Sequence, residues 1–187
     1  MSDPNIPAEP TLTGARVQLR PLRASDADDL FVVHSDPRVM RYWSHAPWTG
    51  REQAAARIAQ LAHDRENAEF YTWANTLADD RLIGTVSLFA VNRTQRRGEV
   101  GYALAASAWG HGYASEALAL AIAYAFGTIG LERLEADIDP RNEASCRLVE
   151  RVGFQREGLL RQRWRVAGEV TDSAMYGLLR DEYAAGR

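Results

Sequence analysis

The segment Trp109-Gly110-His111-Gly112-Tyr113-Ala114 joins two stretches of different pattern. Residues 99–104 have the character of a strand, and residues 115–129 repeat apolar side chains at helical spacing. A glycine-containing turn from a strand into a helix lets backbone N–H groups converge, and the helix N-terminus adds about half a positive charge there. Such a nest suits a phosphate or pyrophosphate. The same turn is also compatible with a plain strand–helix connection.

A second group of residues follows another predicted strand, residues 133–138. It consists of Asn142, Ser145 and the pair Gly153-Phe154. Together with the glycine turn, this group resembles the acetyl-CoA site of the GNAT superfamily of N-acetyltransferases. The form of both segments is that of the Rim-type branch, which is similar to ribosomal-protein N-terminal acetyltransferases. The resemblance extends over most of the chain.

The resemblance implies an enzyme that moves an acetyl group directly from acetyl-CoA to a primary amine, either the N-terminal amine of a protein or peptide or a small-molecule amine. In the family's loop an Arg or Gln stands where this chain has Trp109, whereas Gly112 and Ala114 fit the family pattern. The alternative is a non-catalytic acyl-CoA-binding module, a sensor or regulatory partner, since it would carry the same loop. The residues that the resemblance assigns to acetyl-CoA are Tyr102, Ala103, Leu104, Ala105, Trp109, Gly110, His111, Gly112, Tyr113, Ala114, Ser115, Asn142 and Ser145.

Specific roles are implied for two of these residues. By resemblance, Ser145 lies near the thioester sulfur as a catalytic residue, and Asn142 lies near the pantetheine arm. The family holds that arm in a splay between two strands, which corresponds here to residues 102–105 facing residues 134–138. Each polar residue also has a simpler explanation: Asn142 fits a helix N-cap, and Ser145 fits an ordinary polar residue in a first helical turn. Tyr113 fits an aromatic side chain packed under the loop.

Glu99 is the second candidate catalytic residue. An amine attacks a thioester only when it is neutral, and the pKa is about 8 for an α-amino group and about 10.4 for a lysine. Many family members place a glutamate on this strand as general base, so the resemblance assigns that role to Glu99. A surface salt bridge with Arg96 or Arg97 is the alternative. In Rim-type ribosomal enzymes a glutamate can serve from a later strand, where this chain has Trp164, and this argues against a ribosomal-protein acceptor.

An aromatic segment, residues 40–48, lies between the first two predicted helices. Two tryptophans, a tyrosine and a histidine are unusual in a solvent-exposed linker. In the family this region lines the acceptor groove, where aromatic rings can hold an apolar or cationic group. Packing of the tryptophans onto the sheet is the alternative. The residues expected to contact the acceptor are Tyr42, Trp43, His45, Trp48, Glu99 and Trp164.

Composition indicates one globular domain. A chain of 187 residues fits a flexible leader at residues 1–11 and a single N-acetyltransferase domain at residues 12–183. The net charge of −3 argues against a general nucleic-acid binder, and the absence of a long apolar run or signal-peptide core argues for a cytoplasmic protein without membrane contact.

The single cysteine, Cys146, excludes an internal disulfide and is expected to be a small buried residue. No histidine has metal-ligand spacing, so we expect no metal. Exposed strand edges are compatible with a monomer or a homodimer.

The remaining pattern predicts the order of elements. Ser25 and the segment 49–52 have the character of helix N-termini, and Asp36-Pro37 is expected to end the first helix. Five further strands are predicted at residues 12–22, 70–77, 82–91, 155–166 and 171–179. The expected fold class is α+β, the GNAT fold, with a mixed, mostly antiparallel central sheet of about seven strands and about four helices in the order β-α-α-β-β-β-α-β-α-β-β.

Three arginines alternate along one of the closing strands. Arg161, Arg163 and Arg165 should share one face of that strand because side chains two residues apart point the same way. A solvated strand face is one interpretation, and contact with an acidic substrate or a cofactor phosphate is the other. Trp164 is expected on the opposite face, toward the core or the acceptor groove.

Overall fold

The computed structural model describes residues 9–64 and 70–185. The strands in these ranges are β1 (Leu12–Thr13), β2 (Gln18–Pro21), β3 (Tyr71–Thr76), β4 (Leu82–Asn92), β5 (Arg97–Leu104), β6 (Arg133–Ile138), β7 (Gln155–Val166) and β8 (Glu169–Leu179). The helices are α1 (Ala27–Ser35), α2 (Pro37–Met40), α3 (Arg51–Asp64), α4 (Tyr113–Tyr124), α5 (Glu143–Arg151) and α6 (Arg180–Ala185). A π-helical turn, Ala125–Ile129, extends α4. Within the described ranges, no helix has both the length and the apolar character needed to cross a membrane.

All eight strands form one sheet in the order β1-β2-β3-β4-β5-β6-β8-β7. Every neighbouring pair is antiparallel except β5 and β6, which are parallel. A parallel pair needs a crossover connection, and the chain supplies it through α4. The predicted α+β class with a mixed, mostly antiparallel sheet is confirmed.

The described chain contains one strand more than the expected number and six helices rather than about four. A turn closed by the Gly14 N–H splits the predicted strand 12–22 into β1 and β2. The side chain of Asp36 accepts a hydrogen bond from the Arg38 N–H, and Pro37 occupies the first turn of α2. Asp36 and Pro37 therefore end α1 and also begin a further helix, as an N-cap followed by proline allows. The sixth helix, α6, follows the last predicted strand.

Two helices begin differently from the prediction. Ser25 is not the N-cap of α1, because a 3₁₀ turn precedes that helix and the Asp26 carboxylate accepts the Arg23 N–H. At α3 the side chain of Gln53, rather than the residue at capping-box spacing, accepts the backbone N–H groups of Thr49 and Gly50. Neither difference moves its helix, so α1 and α3 stay where periodicity places them.

The two faces of the sheet bury separate apolar sets. Leu118 and Ile122 of α4 pack with Trp73 of β3 on one face, and all three are fully buried. Leu30 of α1 and Ile58 of α3 pack on the other face. Full burial of such side chains contributes roughly 1.5–3 kcal/mol each to folding. The apolar stripe predicted for the helix after the glycine turn is therefore the core-facing side of α4.

β5 and β6 separate along their length. Their parallel pairing covers Arg97–Glu99 opposite residues 133–135 and ends at Glu99 and Glu135. β5 nevertheless continues to Leu104, and β6 continues to Ile138. The sheet thus has a gap in its middle whose walls are two strand edges. The splay that the resemblance implied is present at this position.

The β7–β8 hairpin contains an irregularity that changes which side chains share a face. Gln162 has a φ of +55°, and the pairing register shifts within residues 160–164. Arg163 Nε lies 3.6 Å from Asp137 Oδ2, and Trp164 Nε1 donates a hydrogen bond to the same oxygen at 3.1 Å. The prediction that the arginines share a face opposite Trp164 is wrong, because the irregularity interrupts the two-residue period.

Part of the predicted leader lies against the sheet. The Thr72 N–H donates to the Glu9 carboxylate, and Trp73 Nε1 donates to the Pro10 carbonyl at 3.0 Å. Glu9 is buried. Residues 9–11 are thus held by β3, while residues 1–8 of the predicted leader lie outside the described residues.

Candidate active site

The glycine turn presents a row of free backbone donors. Gly110 and Gly112 have φ values of +80° and +78°, a region that side chains other than glycine rarely adopt. Within the described part of the chain, the N–H groups of residues 110–115 donate to no acceptor, whereas Glu116 N–H bonds to the Gly112 carbonyl and starts the ladder of α4. These donors lie at the positive end of the helix dipole. An anion with several oxygens fits them.

Trp109 attaches this loop to the end of β5. Its Nε1 donates to the Leu104 carbonyl at 2.8 Å, and its ring is about half exposed. The Ala105 N–H bonds to the Ile83 carbonyl of β4. Since an antiparallel strand alternates its bonding direction, the backbone groups of Tyr102 and Leu104 point away from β4 and into the gap, whereas Ala103 and Ala105 point to β4. The gap therefore has a polar edge on which, among the described residues, the Tyr102 backbone groups and the Leu104 N–H are unpaired, whereas the Leu104 carbonyl accepts from Trp109.

The first turn of α5 closes the other side of the gap. Ser145 N–H donates to Asn142 Oδ1 at 3.2 Å, so Asn142 is the N-cap of α5. Tyr102 Oη donates to the Ser145 carbonyl at 3.4 Å and ties β5 to this turn. Burial raises the pKa of the Tyr102 phenol to about 12, so the hydroxyl keeps its proton at neutral pH. Cys146, expected to be buried, is partly exposed and packs at the edge of the core.

Glu99 is half-buried at the point where β5 and β6 part. The salt bridges considered for it do not form: Arg96 pairs with Glu132, and Arg97 pairs with Glu135. Burial raises the pKa of the Glu99 carboxyl, and the negative charges of Glu135 and Asp137 raise it further. A carboxylate with a raised pKa beside a gap is suited to accept a proton.

A groove with a cavity volume of about 1220 Å³ joins these residues to the aromatic segment. Its lining includes Glu99, Tyr102, Asn142 and Ser145 from the gap. It also includes the aromatic residues expected to contact an acceptor, Tyr42, Trp43, His45, Trp48 and Trp164. The other predicted cofactor residues do not line the groove: Ala103 and Leu104 end β5, and Ala105 and residues 109–115 follow it. The candidate site thus has two parts, a donor-rich loop and a groove, connected by the gap.

Four rings form an aromatic cluster on the groove wall: His34, Trp43, His45 and Trp48. The His34 and Trp48 rings stack with centroids 4.4 Å apart, and Trp43 meets His34 edge-on at 5.5 Å. His45 lies 5.7 Å from Trp43. The tryptophans therefore pack within the protein and line the groove at the same time, so their packing does not remove them from the groove wall.

His34 belongs to the site although it was not among the predicted residues. It lies in the last turn of α1, buried, with Nδ1 free of hydrogen-bond partners in the described structure. Burial, together with the charges of His45 and Arg57, lowers its pKa to about 4. The available signal was its place beside Val33 on the apolar stripe of α1, where a polar residue is unusual.

Tyr42 lines the groove with two guanidinium groups close to its ring. The guanidinium groups of Arg41 and Arg141 lie 5.2 Å and 5.7 Å from the centre of its ring. Arg141 in turn forms ion pairs with Asp139 and with Glu169 of the β7–β8 hairpin. This network links the aromatic segment to the hairpin across the groove.

A family model described as an acetyltransferase (GNAT) domain matches residues 16–155. This match covers most of the chain and includes the loop, the gap and the first turn of α5. The chain belongs to the GNAT family of acetyltransferases. The family part of the resemblance is thereby confirmed.

Relatives of the GNAT chain extend over almost its whole length. The uncharacterized N-acetyltransferase p20 of Bacillus licheniformis is 35% identical and covers 93% of this chain and 98% of its own. Spermidine N(1)-acetyltransferase of Escherichia coli K12 is 26% identical over 90% of this chain and 89% of its own. The structure of Mycobacterium smegmatis RimJ with CoA-disulfide superposes with a TM-score of 0.84 at 24% identity, covering 96% of both chains, and supports the fold. The protein is an N-acetyltransferase.

Metal ligands are not grouped in this acetyltransferase domain. Within residues 9–64 and 70–185, no cluster of three or more His, Cys, Asp or Glu residues could hold a metal ion. The carboxylates that line the groove are instead engaged with arginines, as Asp139 is with Arg141, or stand apart, as Glu99 does.

Proposed function

We propose that this enzyme moves an acetyl group from acetyl-CoA directly to a primary amine bound in the groove. The observation that carries the proposal is the row of free N–H groups at residues 110–115, placed at the end of a gap that opens into the groove beside Glu99. The order of these features matches the order of the reactants: the loop suits the pyrophosphate, the polar strand edge suits the pantetheine arm, and the carboxylate suits the reacting amine.

The chain's own residues fit the parts of acetyl-CoA. The loop donors and the helix dipole would bind the pyrophosphate. The backbone groups of Tyr102 and the N–H of Leu104 would bond the amides of the pantetheine arm, with Asn142 nearby; the Leu104 carbonyl already accepts from Trp109 Nε1. Acetyl-CoA supplies an activated thioester, and Ser145 at the start of α5 would lie beside its sulfur. The scheme requires no metal ion.

Glu99 would take the proton that the acceptor amine must lose. Its raised pKa brings the carboxyl closer to the pKa of an α-amino group, about 8, and so reduces the cost of the transfer. The proton moves to Glu99 Oε directly or through one water. Tyr102, which keeps its proton at neutral pH, would support the Ser145 carbonyl rather than act as a base.

Two classes of acceptor fit this scheme. The Rim-type resemblance favours the N-terminal amine of a peptide or protein, whereas the relative named spermidine N(1)-acetyltransferase favours a small polyamine. By the resemblance, Trp164 lies near the position where Rim-type ribosomal enzymes can carry a glutamate. We therefore consider a ribosomal protein a less favoured acceptor than other N-terminal amines and small amines.

The test is CoA release from acetyl-CoA with a panel of Ser- and Ala-initiated peptides and spermidine. We expect turnover with at least one acceptor, and about a hundredfold lower kcat in Glu99→Gln with little change in CoA binding. Glu132→Gln is the matched control, because Glu132 is an exposed glutamate that pairs with Arg96 outside the groove. CoA binding without turnover on any acceptor would instead indicate the non-catalytic module.

A further inference from the structure

Arg16 connects the turn between β1 and β2 to the glycine loop, residues 109–114. Its Nη1 donates to the His111 carbonyl at 2.8 Å, and its Nε donates to Glu116 Oε2 at 2.9 Å. The guanidinium group also lies 5.4 Å from the centre of the Tyr113 ring. One side chain from outside the loop therefore contacts the loop backbone, the first turn of α4 and the aromatic residue between them.

The Glu116 carboxylate is held in a fixed position by the same turn. Its Oε1 accepts the backbone N–H groups of Arg16 at 2.7 Å and Val17 at 3.3 Å. The turn approaches so closely that a Cβ on Gly14 would lie 2.6 Å from Oε1. With Arg16 Nε on the other oxygen, both carboxylate oxygens are satisfied, and Glu116 in turn orients the guanidinium group.

The contact with the His111 carbonyl determines where a loop donor points. In a planar trans peptide the C=O and N–H groups point in opposite directions. Because Arg16 holds the His111 carbonyl, the Gly112 N–H of the same peptide is directed away from Arg16. Gly110 and Gly112 both have positive φ and can adopt many other conformations, so the loop sequence alone does not fix this direction.

Arg16 also balances the charge next to the loop. A carboxylate in the first turn of α4 would otherwise repel an anion bound to the nearby N–H groups. The ion pair of Arg16 with Glu116 offsets that negative charge while keeping the hydrogen bonds of the carboxylate.

We propose that Arg16 and Glu116 are positioning residues that hold the glycine loop, residues 109–114, in the conformation that binds the pyrophosphate of acetyl-CoA. The inference rests on the proposed function, since it assigns the pyrophosphate to this loop. It predicts that loss of either partner weakens binding of the nucleotide end of acetyl-CoA and leaves the acetyl-transfer step intact.

The test compares acetyl-CoA with S-acetyl-pantetheine, a thioester that lacks the pyrophosphate. In Arg16→Gln we expect KM for acetyl-CoA to rise about tenfold with kcat nearly unchanged, because one charge-assisted hydrogen bond is lost at the loop. In Glu116→Gln the rise in KM should be smaller, because that change also removes a negative charge next to the pyrophosphate. The kcat/KM for S-acetyl-pantetheine should stay at the wild-type value. Equal losses with both thioesters, or no loss with either, would overturn the inference.

Arg96→Gln is the matched control. Arg96 is likewise exposed, pairs with one glutamate, Glu132, and donates from Nε to one backbone carbonyl, that of Gly130, but it lies away from the loop. We expect its KM values to match the wild type, and a rise equal to that in Arg16→Gln would overturn the inference. Arg16→Lys serves if Arg16→Gln does not fold: a lysine keeps the charge but cannot reach both Glu116 and the His111 carbonyl with a fork of donors, so KM should still rise.

The proposed function fails in a different way from this inference. If wild-type enzyme uses acetyl-CoA and S-acetyl-pantetheine with equal kcat/KM, the loop does not bind a pyrophosphate. In the other case, the wild type has a higher kcat/KM for acetyl-CoA than for S-acetyl-pantetheine. If the Arg16 and Glu116 variants then keep the same ratio of the two kcat/KM values, the proposed function stands and the positioning role is wrong.

Discussion

Tyr102 and Ser145 meet across the gap in the sheet: the phenol of β5 donates to the backbone carbonyl in the first turn of α5 at 3.4 Å. This bond crosses the place where β5 and β6 no longer pair, so it replaces the strand pairing that the gap removes. It also fixes the distance between the polar strand edge and the start of α5. Two parts of the proposed acetyl-CoA site are thus coupled through one hydroxyl group.

The variant Tyr102→Phe should show whether the bond between Tyr102 and Ser145 affects catalysis in addition to stability. Loss of the hydroxyl removes one buried hydrogen bond and should lower the free energy of unfolding by about 1 kcal/mol. Because Ser145 loses its tie to β5, kcat should fall severalfold. Tyr176→Phe is the control, since Tyr176 is a buried tyrosine whose hydroxyl bonds to Glu150 of the same helix at 3.1 Å. Urea unfolding and steady-state kinetics of both variants decide: a similar fall in kcat in both would contradict a specific role of the Tyr102 bond.

Gly112→Ala should weaken CoA binding beyond its cost in stability. Gly112 has a φ of +78°, and an added Cβ would lie 3.3 Å from Arg16 Nη2. Gly130 has the same φ and open space around it, so Gly130→Ala carries the backbone strain alone. Both variants should lose about 1 kcal/mol of stability. In thermal unfolding, the rise in unfolding temperature on adding CoA should be reduced only for Gly112→Ala. Equal shifts in the two variants would argue against the loop as the CoA site.

Features with a local cause could be predicted from the sequence. The stripe on α4 and the alternation in most strands follow from burial of one face, which imposes a fixed period on apolar residues. The loop was recognisable because Gly110 and Gly112 must adopt positive φ, and few other residues tolerate it. The gap came only from the resemblance, since nothing in the residues of β5 and β6 marks where their pairing ends.

Features that depend on distant partners could not be predicted. Tyr42 was expected to contact the acceptor, and nothing in the sequence indicated that Arg141, far along the chain, lies next to its ring. The alternation around Trp164 fails because Gln162, not a glycine, adopts a positive φ. Arg16 gave no local sign of its contact with the His111 carbonyl. Each case is set by tertiary packing, which overrides the local pattern.

The pH profile of kcat/KM should report Glu99. A general base must be deprotonated, so activity should fall as the pH drops through the raised pKa of the Glu99 carboxyl. In Glu99→Gln the residual activity should lose this acidic limb, while Glu132→Gln should keep it. Measurements with an acceptor of low amine pKa separate this limb from ionisation of the acceptor itself. An acidic limb that persists unchanged in Glu99→Gln would assign the base to another group.

The stability of the fold should depend on pH through His34. In the unfolded chain its pKa is near the ordinary 6.5, whereas burial among the aromatic rings and the charges of His45 and Arg57 lower it to about 4 in the folded protein. Between these values the unfolded chain binds the proton more tightly, so stability is full above pH 6.5 and falls as the pH drops toward 4. The loss from this one group should reach roughly 2–3 kcal/mol at pH 4.5.

His34→Phe keeps a ring against Trp48 and removes the titration, so its unfolding free energy should change less between pH 7 and pH 4.5 than that of the wild type. His63→Gln, at an exposed position in α3, should follow the wild-type curve. Parallel curves for the wild type and His34→Phe in urea unfolding would mean that His34 is protonated in the folded groove.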